Sequence, residues 1–261
     1  MRTVSAYTCA LALLTYGAFS QSTEFEVASV KPNRSGGGTR RSIEPGKITW
    51  LNLSLGEFIE KAYDVKHYQL SGPDWVLNYL STDRYDVVAK AASPVPTQEL
   101  LRMLGPLLTK RFHLAVHRET RVLPVYALVV DKGGPKFKEG DGGMPASYPD
   151  GTGAMDYHNV TMESLASGLS VFLGAVDGRP VLTRTGLEGS YTFKANLYAL
   201  PAGLSPGEQK QQTQQLMSTM SREDNPVFTA LREQLGLRLE SQKAPIEMLI
   251  IDQAEKIPIE N

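Results

Sequence analysis

The chain has 261 residues, of which 41% are hydrophobic, and its 27 basic and 28 acidic residues give a formal net charge of −1 at pH 7. This balance argues against a nucleic-acid partner, because binding to phosphates needs a basic surface. The length suits one large domain or two small ones. The single cysteine, Cys9, excludes an intramolecular disulfide framework.

Residues 1–20 have the pattern of a secretory signal peptide. Arg2 supplies a charged start, Ala10–Leu14 form a short apolar stretch, and Ser20 precedes a predicted cleavage site before Gln21. The apolar stretch is too short to span a bilayer comfortably, and no other segment is apolar enough to do so. We therefore expect an exported protein, periplasmic or extracellular, with neither a transmembrane segment nor a cysteine in its mature form.

A first α+β unit is predicted over residues 21–140. Ser54 is a natural N-cap, and the apolar residues behind it recur on one helical face. A strand is predicted at Tyr85–Ala89, and a second helix with a leucine stripe is predicted from Thr97 to Lys110.

The first unit ends in two strands that recur later in the chain. Arg111–Val116 matches Gln234–Leu239, and Pro124–Asp131 matches Pro245–Asp252 without a gap. We expect each pair of closing strands to form a hairpin, with one apolar and one more polar face. The leading proline of each last strand predicts a position at a sheet edge.

These matches extend upstream and predict a second related unit over residues 150–261. Further matches join Asn52–Leu55 to Asn159–Met162, and Tyr85–Ala89 to Tyr191–Ala195. The second unit contains a polar insertion near residues 200–225, which is rich in Gln, Ser, Pro and Gly. We infer that the chain contains an internal repeat, which was built by doubling one unit.

The predicted fold class is α+β. Each unit follows a β-α-β-β-α-β-β order, with small mixed or antiparallel sheets and helices packed on one face.

Four residues are candidates for ligand binding: Asp74, Trp75, His113 and His117. The two histidines are four residues apart but alternate along a predicted strand, and no third ligand is placed as in a zinc site. The sequence therefore predicts no metal and no cofactor, and a solvated sheet face is the simpler interpretation. Trp75 can stack on a ligand, or it can anchor its loop to the core.

Several motifs together resemble a family of secreted proteins from soil bacteria that is catalogued as a domain of unknown function. The motifs are Phe25–Asn33, Arg111–Leu114 with His117–Thr120, Gly133–Lys136, Thr185–Tyr191 and Leu235–Glu240. The resemblance implies export, and in some members the domain follows a membrane-bound sensor peptidase. This chain lacks the His-Glu-x-x-His motif of such a peptidase. The family implies no catalytic residues.

A second resemblance concerns each unit alone. Its strand, helix, hairpin and helix are similar to the short periplasmic N-terminal domains of secretins and TonB-dependent receptors. Those domains bind protein partners, so the similarity implies an interaction module on the strength of fold alone.

The function expected from the sequence is a non-enzymatic module that binds a protein or another component of the cell envelope or extracellular space. An exposed sheet edge or the cleft between the units would form the site. The alternative is an envelope hydrolase with a site in that cleft, near Asp74, Trp75, Asp86 and His113. A third possibility is a purely structural secreted protein. An enzyme needs converging ionisable groups, whereas a binding module needs an apolar or aromatic groove.

Overall fold

The computed structural model describes residues 24–35, 37–78, 81–197 and 225–259, together with positions 208, 211 and 215. The predicted signal peptide and nearly all of the predicted insertion lie outside the described residues. The described residues form three four-stranded sheets with helices against them, which confirms the predicted α+β class. Among the described residues, none of the helices has the length and apolar character needed to cross a membrane.

The elements are numbered in chain order. The strands are β1 (Val27–Pro32), β2 (Arg40–Glu44), β3 (Lys47–Leu53), β4 (Leu70–Ser71), β5 (Tyr85–Lys90), β6 (Ala115–Val130), β7 (Lys138–Glu139), β8 (Ala146–Pro149), β9 (Met155–Thr161), β10 (Val181–Thr183), β11 (Ser190–Ala195) and β12 (Leu237–Gln253). The helices are α1 (Leu55–Tyr63), α2 (Asp74–Leu77), α3 (Thr97–Phe112), α4 (Met162–Asp177) and α5 (Pro226–Ala230). A 3₁₀ turn covers His67–Gln69, and a π-helical turn, Leu231–Leu235, continues α5.

The first outer sheet has the antiparallel order β1-β5-β3-β2. Alternation along each strand sends one set of side chains inward, as in β1, where Ala28 and Val30 are buried and Val27 is exposed. The predicted helices α1 and α3 are confirmed, and they supply buried apolar residues to the same core.

The second outer sheet has the order β7-β11-β9-β8 and is also antiparallel. Helix α4 contributes Leu165, Leu169 and Phe172 to its core. The chain behind Asn225 forms α5 and the π-helical turn, with the Asn225 side chain accepting the Val227 N–H.

Two helices begin in the same way. Ser54 and Thr161 each accept a backbone N–H of the first helical turn through their side chains, which confirms the predicted N-cap at Ser54 and gives Thr161 the same role. Two residues earlier, Asn52 and Asn159 adopt left-handed backbone conformations, with φ of 62° and 52°. Asparagine tolerates this conformation better than most residues, so it suits the corner from strand to helix.

The predicted closing hairpins are wrong. β6 runs unbroken from Ala115 to Val130, and β12 runs unbroken from Leu237 to Gln253. The two strands pair with each other, antiparallel, along almost their whole length. Short parallel strands complete this central sheet, whose order is β10-β6-β12-β4. The polar stretch around Thr120, which the sequence presented as a turn, is the exposed middle of a long strand.

Pro124 and Pro245 therefore lie inside strands and do not start them, contrary to the prediction. Tyr126 donates its N–H to Pro180 O on the outer side of β6, so the nitrogen of Pro124 faces that same side. There β10 pairs only with residues 126–128. Both prolines are tolerated because a strand position without an outer neighbour needs no N–H donor.

The long strands exchange their ends between two cores. The first core, which contains Trp50, Phe58 and Leu104, also takes Leu249 and Ile251 from the end of β12. The second core, around Leu169, takes Tyr126 and Leu128 from the end of β6. Between the two cores, the buried residues Val125, Ala244, Ile246 and Met248 form a small third cluster on the central sheet.

Candidate functional site

The two candidate histidines bind carboxylates near the end of the chain. His113 follows α3 as its left-handed C-cap (φ 46°) and is not part of a strand, contrary to the prediction. Its Nδ1 lies 2.9 Å from Glu255 Oε1, and His117 Nδ1 lies 2.8 Å from Asp252 Oδ2. All four side chains are about half exposed. The described residues contain no group of three or more His, Cys, Asp or Glu that could hold a metal ion.

The other candidates make separate contacts. Asp74 lies exposed in the first turn of α2, and the Trp75 ring lies 5.5 Å from Lys256 Nζ, in cation–π range. Asp86 Oδ1 accepts hydrogen bonds from Asn33 Nδ2 (2.8 Å) and from the Asn52 backbone N–H (2.9 Å). These contacts hold loops against the first outer sheet. Those of Asp86 also position the corner between β3 and α1.

A groove of about 380 Å³ opens between strand β8 and helix α4, and we call it the β8–α4 groove. Its lining residues are Pro145, Ala146, Ser147, Tyr157, Val160, Ser164, Leu165, Gly168 and Leu197. The volume falls in the range of ligand-binding clefts. Leu165 and Leu197 form a buried floor, while Ser147, Ser164 and Gly168 are exposed at the mouth.

Both ends of the segment that carries β8 are tied to the sheet. At one end, Asp141 accepts hydrogen bonds from the Gly143 N–H (2.9 Å) and Asn159 Nδ2 (2.7 Å), and these bonds lower its pKa. At the other end, Asp150 accepts from Lys194 Nζ at 2.5 Å and from Thr152, which holds its pKa far below the ordinary value. The outer wall of the groove is therefore held in place before any ligand binds.

The described part of the groove wall is uncharged, because none of the described residues that line it is Asp, Glu, His, Lys or Arg. Burial raises the pKa of the Tyr157 phenol above its ordinary value, so this side chain stays neutral at physiological pH. A mostly apolar lining with three hydroxyl groups suits an apolar ligand and gives no acid–base pair for catalysis.

Strand β8 offers few backbone donors to a ligand. The Asp150 N–H donates to Ala154 O (3.0 Å), so alternation turns the backbone groups of Ser147 and Pro149 outward. Pro149 has no N–H, and neither has Pro145 just before the strand. Prolines at these positions blunt a sheet edge against strand addition. A ligand would therefore be recognised mainly through side chains that enter the groove.

Exposed apolar side chains surround the groove. Val171 is 63% exposed and lies three residues after Gly168 on α4, while Met144 (88%) directly precedes the lining residue Pro145. Large exposed hydrophobic residues that cluster around a groove are typical of interaction sites.

A second, smaller groove of about 270 Å³ lies beside β1 and α3. Three of its four charged residues have partners within the chain: Lys110 Nζ pairs with Glu24 at 2.5 Å, and Arg111 donates to Ile259 O at 3.2 Å. None of Asp74, Trp75, Asp86, His113 and His117 lines either groove.

Sequence reasoning missed the β8–α4 groove. Tyr157, Ser164 and Gly168 have no motif, and Ser147 and Pro149 lie in a segment without a strong strand pattern. The available signal was the alignment of the two halves, in which Ser164 and Gly168 replace Glu57 and Lys61.

Comparison with known proteins gives one match. The family model described as a protein of unknown function (DUF3738) matches residues 56–254, which include the second outer sheet, the central sheet and, of the first outer sheet, strand β5. No curated protein and no solved structure matches the chain.

Proposed function

Since the chain belongs to the DUF3738 family, whose description assigns no activity, we propose a function from the groove: the protein is a non-enzymatic binding module that takes an apolar segment of a protein partner between β8 and α4. The observation that carries this proposal is an uncharged, partly aromatic groove with a fixed outer wall. Sites of this kind bind by burying apolar surface and need no reacting groups.

The apolar surface around the groove favours a protein over a small molecule. Met144 and Val171 extend the apolar area beyond the groove itself, so a larger partner buries more of it. Because prolines limit backbone pairing along β8, the favoured ligand is an amphipathic segment that inserts side chains, as a helix does in an apolar groove.

The cell envelope or the extracellular space is the proposed location. The signal-peptide pattern of residues 1–20 supports export. A protein partner or envelope component would then meet the groove outside the cytoplasm. The hydrolase alternative has less support, because Trp75, Asp86 and His113 make separate contacts and neither they nor Asp74 line either groove.

We further propose that the chain arose by duplication. The two outer sheets have the same strand order, and α1 and α4 share the same cap and the same left-handed asparagine. After a duplication, one half can maintain the fold while the other half evolves a binding site.

The binding proposal is tested by selecting random linear peptides on the immobilised full-length mature protein. We expect enriched peptides with a common apolar spacing, whose binding is lost in Gly168→Gln. A Cβ at Gly168 meets no atom within 4 Å, so the glutamine side chain starts in open space at the mouth of the groove, where it should obstruct a ligand.

Gly174→Gln is the matched control. Gly174 lies on the same helix, a Cβ there also meets no atom within 4 Å, and the residue does not line the groove. Selected peptides should bind this variant as they bind the natural protein. Failure to enrich any peptide, or peptides that bind both variants equally well, would overturn the proposal.

A further inference from the structure

The first half of the molecule shows what fills the space that is open in the second half. At the position equivalent to the groove, Trp50 and Phe58 stack with ring centroids 5.8 Å apart and are 2% and 0% exposed. They occupy the gap between strand β3 and helix α1. The aligned residues of the second half are Tyr157 and Leu165, which line the groove.

The mouth of this space is closed in the first half by an ion pair. Arg41 lies opposite Trp50 in the strand register, and its Nη2 is 2.5 Å from Glu57 Oε1 on α1. Arg84 adds a second bond to Glu57 at 2.8 Å. The ion pair between Arg41 and Glu57 therefore joins the edge strand β2 to helix α1, and we call it the Arg41–Glu57 staple.

The same register shows that the staple is missing from the second half. Ser147 lies opposite Tyr157, as Arg41 lies opposite Trp50. Ser164 aligns with Glu57, and Gly168 aligns with Lys61. Two serines cannot bridge the distance that an arginine and a glutamate span, so β8 and α4 stay unconnected at this point. The groove is open because each residue at its mouth is shorter than its counterpart.

We infer that the groove binds an aromatic side chain of the partner, in the space left where the smaller Tyr157 and Leu165 stand in place of the Trp50–Phe58 pair. This inference rests on the proposed function and specifies its ligand. An aromatic ring can pack beside Tyr157 and Leu165, and aromatic contacts add stability beyond the area that they bury. The two serine hydroxyls at the mouth offer hydrogen-bonding groups to the polar end of a tryptophan or tyrosine side chain.

The test uses three small probes: N-acetyltryptophanamide, N-acetylphenylalaninamide and N-acetylleucinamide. Each is titrated into the ¹⁵N-labelled full-length mature protein while amide chemical shifts are followed. We expect saturable shifts at Val160, Leu165 and Gly168, with the aromatic amides binding about 3- to 10-fold more tightly than the leucine amide. Gly168→Gln should abolish these shifts, and Gly174→Gln should keep them.

The outcomes separate this inference from the proposed function. If the leucine amide binds as tightly as the aromatic amides, or if no probe gives saturable shifts in the groove, the aromatic preference is wrong. The peptide selection then decides the wider proposal on its own: apolar peptides without aromatic residues would support a binding module of different specificity. Failure of both experiments would remove both ideas.

Discussion

Glycine has opposite roles at two positions of this chain. Gly236 adopts φ of +65°, and a Cβ there would lie 2.0 Å from Gly134 O, a backbone atom that cannot move aside freely. Gly168, in contrast, faces open space at the mouth of the groove. The first glycine is required by the close approach of two loops, whereas the second leaves room for a ligand.

Gly236→Ala should therefore lower the free energy of unfolding by about 3 kcal/mol or more, since strain and a backbone clash act together. Urea unfolding followed by circular dichroism measures the change. Gly174→Ala is the control, and it should be neutral or stabilise the helix by up to about 1 kcal/mol. Equal unfolding midpoints for the two variants would contradict the assigned role of Gly236.

Tyr85 links the first core to the end of the chain and makes stability sensitive to alkali. Its hydroxyl donates to Lys256 O at 2.7 Å, and burial raises the pKa of Tyr85 to about 12. Between pH 10 and pH 12 the unfolded chain loses this proton while the folded protein keeps it. Stability should therefore be intact below pH 10 and should fall as the pH rises towards 12.

Tyr85→Phe removes this contribution. The loss of stability from pH 9 to pH 12 should be smaller in the variant by roughly 2 kcal/mol, measured by urea unfolding at each pH. At neutral pH the variant should lose about 1 kcal/mol because the Lys256 carbonyl loses its donor. An unchanged alkaline profile would show that Tyr85 ionises freely in the folded protein.

At the scale of elements, a single ion pair distinguishes a closed strand–helix junction from an open one. Ser147→Arg combined with Ser164→Glu should recreate the Arg41–Glu57 staple between β8 and α4. A partly exposed pair adds at most about 1 kcal/mol, so stability should change little. Peptide binding, measured by calorimetry, should be lost.

The single variants provide the controls for this staple. Ser147→Arg alone and Ser164→Glu alone each leave a flexible charged side chain at the mouth, so binding should weaken without being abolished. If the double variant binds the selected peptides normally, an ion pair between β8 and α4 does not block the groove.

Pro149 in β8 and Pro145 just before it limit the pairing of this edge strand with other strands. Pro149→Thr together with Pro145→Thr restores two N–H groups on the outward side of the strand. We expect concentration-dependent self-association in analytical ultracentrifugation, because an edge strand with free donors pairs with other strands. Pro94→Thr lies in the loop before α3, outside any strand, and should leave the protein in its original association state.

At the scale of the whole molecule, each core depends on a strand from the other half of the chain. Ile251→Ala removes a buried side chain near the C-terminus and should cost about 2–4 kcal/mol. Hydrogen exchange should show the loss first in α1 and α3, which share a core with Ile251. Leu128→Ala is the mirrored control, and its effect should appear first in α4. If each substitution reduced protection from hydrogen exchange only in its own half of the chain, the two cores would not share the ends of β6 and β12 as described.

The sequence by itself determined the local elements, because capping and periodicity act over a few residues. The N-caps at Ser54 and Thr161, the helix at Thr97 and the turn into α5 behind Asn225 were all predictable from neighbouring residues. The α+β class followed from these elements.

Only the tertiary structure decided how the long strands pair and where the groove opens. An alternating strand looks the same whether its neighbour is the next strand or one that follows about a hundred residues later, so β6 and β12 could not be matched in advance. The polar middle of β6 is stable as a strand because a distant segment supplies its hydrogen bonds. The groove likewise depends on which side chains face each other between β8 and α4. The order of residues in the sequence does not specify how far apart these side chains lie.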